Sequence, residues 1–214
     1  MEETEHSFYD EAKLYAQEAI ELCLHGKKDY AQEFLHRTHT MLRRLSGDLP
    51  IVGQEEYLNR SFATRSFEEA EGWGWYELAA GIYGMTEERP GTSLVHFKRA
   101  WRIWRPWSSS AMADAERYEA SCERLRAGLW LGEAWARIMS SDRTRHAANA
   151  VLRATLSEIE RIGAQVLIEE TIGQQRLLPP APPGSPAYSA DGKTNPYICS
   201  IANSEKYFTH ERKH

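Results

Sequence analysis

Apolar residues recur every three or four positions through most of this chain and almost nowhere alternate, a period that predicts helices. A first helix is expected from about Phe8 to Leu24, with Phe8, Ala12, Ala16, Ala19, Ile20 and Cys23 on one face. Gly26-Lys27-Lys28 is the turn, with glycine just past the helix end. A second helix, about Tyr30 to Leu45, is expected to bury Tyr30, Phe34, Thr38, Met41 and Leu45 before Gly47 and Pro50 stop it. A weaker pattern covers Glu55 to Thr64. Ser66-Phe67-Glu68-Glu69 has the form of a capping box and opens a helix to about Tyr83, with breaks at Gly84 and Pro90-Gly91. The next helix runs from about Ser93 to Arg105, and Ser108-Ser109-Ser110 follows it. A long helix from about Met112 to Met139 carries the stripe Tyr118, Cys122, Leu125, Leu129, Gly132, Ala136 and Met139. Another, from Ser141 to about Thr171, turns Ala148, Val151, Thr155, Ile159, Ile162 and Val166 inward and ends at Gly173.

Beyond residue 173 the pattern changes. Pro179-Pro180-Ala181-Pro182-Pro183-Gly184-Ser185-Pro186 suits an extended polyproline-like segment. Residues 188–214 are polar, with isolated apolar anchors that include Tyr197 and Phe208. The organisation is therefore a helical domain over 1–173, a proline-rich linker over 174–187 and an extended tail over 188–214 that can dock elsewhere. The fold class is all-α: antiparallel helical hairpins, either an irregular repeat array or a helix bundle.

Composition narrows the function only a little. The 214 residues carry a formal net charge of -5, which excludes a protein coated in nucleic acid but not a local basic patch. Cys23, Cys122 and Cys199 are too few and too scattered for a disulfide framework or a zinc spacing. The acidic start Met1-Glu2-Glu3-Thr4-Glu5 is unlike a signal peptide, and no apolar run is long enough to span a bilayer. A cytoplasmic protein without a membrane partner is the expectation.

Charge is segregated along the chain. Glu55, Glu56, Glu68, Glu69, Glu71, Glu77, Glu87 and Glu88 meet only Arg60 and Arg65 in their stretch. From Arg89 to Met112 come Arg89, Lys98, Arg99, Arg102 and Arg105 and no acid, so the two blocks are expected to pair across adjacent helices. Lys98, Arg102 and Arg105 lie opposite the stripe of Leu94, Phe97, Trp101 and Trp104. Trp107 follows Pro106 and is expected to leave that face, an exposed tryptophan beside arginines. Lys98, Arg102, Arg105 and Trp107, with Tyr197 and Phe208 of the tail, are the candidate partner-binding residues. An acidic peptide or protein surface is the favoured partner, and single-stranded nucleic acid stacking on the tryptophans is the alternative.

Three helix pairs share small residues at matching places. They are Tyr15, Ala19 and Leu22 with Ala31, Leu35 and Thr38; Trp75, Leu78, Ala79 and Ile82 with Ser93, Phe97 and Ala100; and Gly128, Leu131, Gly132 and Trp135 with Ala147, Val151 and Ala154. Over residues 9–160 this resembles the tetratricopeptide repeat, with insertions in the second and third units. The resemblance implies a scaffold that holds peptides or protein surfaces in a groove. An antiparallel bundle wants the same small residues, and both architectures stay open.

Catalytic signals are sparse. Glu33-x-x-His36 matches an element of ferritin-like di-iron bundles, and Asp142-x-x-x-His146 resembles one seen in haem-oxygenase-like di-iron oxidases. Both fall on polar faces away from the apolar stripes, so no metal ligand, cofactor or catalytic residue is assigned. A metal-dependent oxidase remains a distant third reading. Gly72, Gly74, Gly81 and Gly84 follow no strand and read as close helix packing, not as a dinucleotide loop.

Overall fold

The computed structural model describes residues 2–46, 66–108, 114–138 and 142–181. These form seven helices and no strand: α1 Glu2–Leu24, α2 Lys28–Ser46, α3 Phe67–Thr86, α4 Pro90–Trp104, α5 Asp114–Arg137, α6 Asp142–Ile162 and α7 Val166–Gln175. The expected helix at 55–64 and the tail beyond residue 181 lie outside the described residues, as does Cys199.

Local chemistry explains the helix ends. Gly26 has φ +78° and its N–H donates to Cys23 O (3.1 Å), while Lys27 N–H donates to Leu22 O (2.8 Å). This is a Schellman stop, and it folds α2 back on α1. Ser66 Oγ accepts from Glu69 N–H at 3.3 Å and starts α3, as the capping pattern predicts. Gly84 does not end α3. The stop comes at Glu88, which takes φ +56° while Arg89 N–H reaches back to Gly84 O (2.8 Å) and Pro90 opens α4.

The single helix expected over 141–171 is two. Gly163 has φ +74°, its N–H donates to Glu160 O and Ala164 N–H donates to Ile159 O at 3.0 Å. The apolar period runs across this stop, which is why it reads as continuous in sequence. Gly173, expected as the helix end, lies inside α7. The chain stays on the body beyond α7: Leu178 is buried, and Arg137 Nη1 donates to Pro179 O at 2.6 Å.

Packing follows chain order. α1 packs on α2 and α3, α3 on α4, α4 on α5, and α5 on α6 and α7. Glycines set the closest crossings. A Cβ on Gly74 would lie 2.4 Å from Trp104, one on Gly81 2.4 Å from Phe97, and one on Gly84 2.5 Å from Ser93 Oγ. The partner numbers fall as the glycine numbers rise, so α3 and α4 are antiparallel. Gly128 against Thr155 and Gly132 against Leu152 repeat the arrangement between α5 and α6. The glycines do serve close helix packing.

The core centres on Leu78, Ile82, Phe97, Trp104 and Trp130, all fully buried, with Phe97 stacked on Trp130 at 5.8 Å. A smaller cluster joins Leu125 and Leu129 to Ala148, Leu152, Ile159 and Leu167. Cys23 is buried and Cys122 is half-buried.

Several expected core residues lie outside. Phe8 is 42% exposed, Tyr30 62%, Tyr118 50% and Val166 59%. On α2 the buried face is Ala31, Leu35, Thr38 and Leu42, offset from the expected one. Tyr30 is turned outward, and Phe34, Met41 and Leu45 lie half-buried beside that face.

Candidate functional site

The basic-aromatic helix is α4, and the structure disperses its candidate residues. Lys98 is exposed, with Nζ 5.4 Å from the Trp135 ring centroid of α5. Arg105 is exposed, and its guanidinium lies 6.0 Å from the Trp101 centroid; Arg124 of α5 sits 5.8 Å from the same ring. Arg102 is half-buried.

Trp107 corrects the expectation of an outward ring. After Pro106 the chain makes one more turn, with Ser108 N–H donating to Trp104 O, and the Trp107 ring packs 5.6 Å from Phe67 at the start of α3. Its indole Nε1 is buried. A proline ends the α-helix but does not forbid a further turn, and here that turn returns the ring to the body. Tyr197 and Phe208 lie outside the described residues.

The acidic and basic blocks do meet, but only in part. Glu77 is 1% exposed and accepts from His96 Nδ1 at 2.6 Å and from Arg99 Nη1 at 3.4 Å, joining α3 to α4. Glu71 instead pairs with Lys13 of α1 (2.5 Å), and Glu87 with Lys28 of α2 (2.8 Å).

A second charged group is invisible in the sequence because it spans alternate helices. Lys13 of α1 bonds Glu71 of α3 and also Glu119 of α5 at 3.0 Å. Burial pushes the Glu71 carboxyl up to about 7, against the pull of Lys13 and with a hydrogen bond shared with Glu119 adding to the rise. Burial also acts to raise Glu119, but hydrogen bonds from Lys13 and Glu71 outweigh it and hold that carboxyl below its usual range. Two turns along α5, Arg126 bridges Glu123 and Glu170 of α7, each at 3.0 Å, with its guanidinium 5.7 Å from the Trp75 centroid. Burial raises the Glu123 carboxyl. The group ties α1, α3, α5 and α7 together, with each of its two cations shared between two carboxyls.

None of this activates a nucleophile. Burial pushes the Cys23 thiol up to about 12 and also raises Cys122, the reverse of a reactive thiolate. Glu33 pairs with Arg37, His36 and His146 are exposed, and no three metal-type ligands converge among the described residues. No described helix is long and apolar enough to cross a membrane.

A groove of about 510 Å³ runs along the first hairpin. Phe8 and Tyr15 of α1 line it with His36, Arg37, Thr40, Met41, Arg44 and Leu45 of α2. Tyr15 meets the edge of Phe34 at 5.6 Å and donates its hydroxyl to Glu11 at 2.6 Å. No family model, curated protein or solved structure matches the chain. The groove was missed in sequence because its apolar lining has the same helical period as a core face. The available clue was that α2 carries apolar residues on two faces, only one of which can meet α1 and α3.

Proposed function

We propose that this protein is a helical scaffold that binds a protein partner without catalysing a reaction, built from consecutive hairpins of the tetratricopeptide type. The observation that carries the reading is the outer face of the first hairpin. It leaves an open, largely apolar groove where a finished globular surface would be polar. The sequential packing of antiparallel hairpins at glycine crossings supports it. So does the interior, where the buried acids Glu77, Glu123 and Glu133 are held by neighbouring cations in structural pairs.

A nucleic-acid reading gains no observation of its own. The tryptophans that would stack bases are engaged by protein groups: Trp101 by Arg105 and Arg124, Trp104 in the core and Trp107 on Phe67.

The test is affinity capture of the tagged chain from its native cells at moderate salt, with mass spectrometry of what accompanies it. Three forms are compared: the full chain, a form ending at Ala181, and the pair Lys98→Glu with Arg105→Glu. A stoichiometric protein partner is expected. Its loss with the charge reversals assigns α4 as a contact, its loss with the truncation assigns the tail, and absence of any partner overturns the scaffold reading.

A further inference from the structure

We propose that the groove between α1 and α2 is a docking site for an acidic amphipathic segment of a partner protein; this deepens the scaffold reading and rests on it. Three observations converge. The first is that α2 has two apolar faces. Ala31, Leu35 and Leu42 are buried, while Tyr30 is 62% exposed and Phe34, Met41 and Leu45 are only half-buried. Of these, Met41 and Leu45 line the groove, together with Phe8, 42% exposed, and Tyr15 of α1.

The second is charge. The polar lining is His36, Arg37, Thr40 and Arg44, with no acid among it. Two neighbouring acids are committed: Glu11 accepts from the Tyr15 hydroxyl, and Glu33 accepts from Arg37 Nη2 at 2.5 Å. His36 and Arg44 are exposed and make no hydrogen bond or ion pair among the described residues. A cationic rim on a chain of net charge -5 selects a partner that brings carboxylates, and it discriminates against basic segments.

The third is shape. The groove lies between antiparallel helices and has the volume of a site for a few large side chains rather than a broad flat interface. A helix laid along it would present apolar residues at i, i+4 and i+7 to the lining and Asp or Glu to Arg37 and Arg44.

The experiment selects a random 16-residue peptide library displayed on phage against the immobilised full-length chain, then measures synthetic copies of the enriched peptides by fluorescence anisotropy. The enriched peptides should be net negative, with two or three large apolar residues at helical spacing. Arg37→Glu with Arg44→Glu should weaken them by roughly tenfold or more, and Phe8→Ser should weaken them by a smaller factor. Both variants change groove-lining positions, and an unchanged circular dichroism spectrum checks their fold. Neutral or basic winners, or affinities indifferent to these variants, overturn the inference while leaving a scaffold with its site elsewhere. No enrichment at all also overturns it, and the scaffold reading is then judged on the native capture alone. A dimer in sedimentation that Arg44→Glu dissociates would name a second copy as the occupant and overturn the acidic partner.

Discussion

Helices α2 and α3 are nearly equal in length, 19 and 20 residues, and both are rich in aromatic or bulky apolar side chains. Four residues of α2 are buried and fifteen of α3. The difference comes from composition and from neighbours, since α2 is much the more polar helix. α3 packs on α1, α2 and α4 and approaches α5, so nearly every face has somewhere to go. Its glycines let Trp104 and Phe97 lie against its backbone. α2 is an edge helix with small residues on one face only. Its second apolar stripe is only partly covered, and Met41 and Leu45 at its end line the groove. α3, the more apolar of the two, is thus a core element, while α2 keeps a polar outer side and leaves part of its apolar surface in the open. Which apolar face is covered is set by where glycine and alanine allow backbones to approach.

The largest test of that comparison is Gly81→Val. Phe97 lies 2.4 Å from the added Cβ and cannot retreat, because it is buried and stacked on Trp130. We expect a loss of about 3 kcal/mol in denaturant unfolding, from overpacking of a close crossing. A neutral result would mean that α3 and α4 are farther apart than described.

Glu77→Ala comes next. It removes the acid that faces His96 and Arg99 and leaves a partly buried imidazole and guanidinium without their partner. A loss of about 2 kcal/mol is expected, smaller than for a fully buried pair because both side chains reach some solvent. The comparable exposed pair on α2, Glu33 with Arg37, should cost under about 0.5 kcal/mol when Glu33 becomes Ala.

The Glu71 carboxyl should make stability depend on pH. Its pKa is raised from 4.5 to about 7 on folding, so the native state holds its proton more tightly than the unfolded chain. That contribution is fully present below 4.5 and is lost as pH rises through about 7. Glu119, shifted down, acts in the opposite sense, and its contribution is lost as pH falls. Glu71→Gln should therefore gain about 1–2 kcal/mol relative to the parent between about pH 5 and pH 8, read from Tm across that range. A difference independent of pH would show that Glu71 ionises normally.

Gly173→Ala sharpens the comparison from the other side. The position is helical, with nothing within 4 Å of an added Cβ, so helix propensity alone acts. A gain of about 0.5–1 kcal/mol is expected, opposite in sign to the core glycines. The smallest effect should be Phe8→Ser in the groove. It should change stability by no more than about 0.5 kcal/mol and be felt in binding instead.

Legibility followed the range of the interaction. The capping serine at Ser66 and the glycine turn at Gly26 depend on residues a few places apart, and both appear as expected. The glycines of α3 also read correctly as packing positions. The stop at Gly163 was hidden because its apolar period continues unbroken, and the stop at Glu88 because a glutamate occupies a backbone conformation that usually takes glycine. Lys98, Arg102 and Arg105 are one basic helix in sequence, yet each has a different surrounding once α5 is in place. The groove and the Lys13–Glu71–Glu119 group join residues of separate helices, and no spacing encodes them.

By itself the sequence determined that the described chain is helical, where most of its helices begin, and which glycines mark close crossings. These follow from periodicity and local hydrogen bonding, which act within a turn or two. Only the tertiary structure decided which of two apolar faces on α2 is core, that Trp107 returns to the body, and that three alternate helices share one charged group. Burial and electrostatics depend on what stands opposite a side chain, and that is fixed only when the helices have packed.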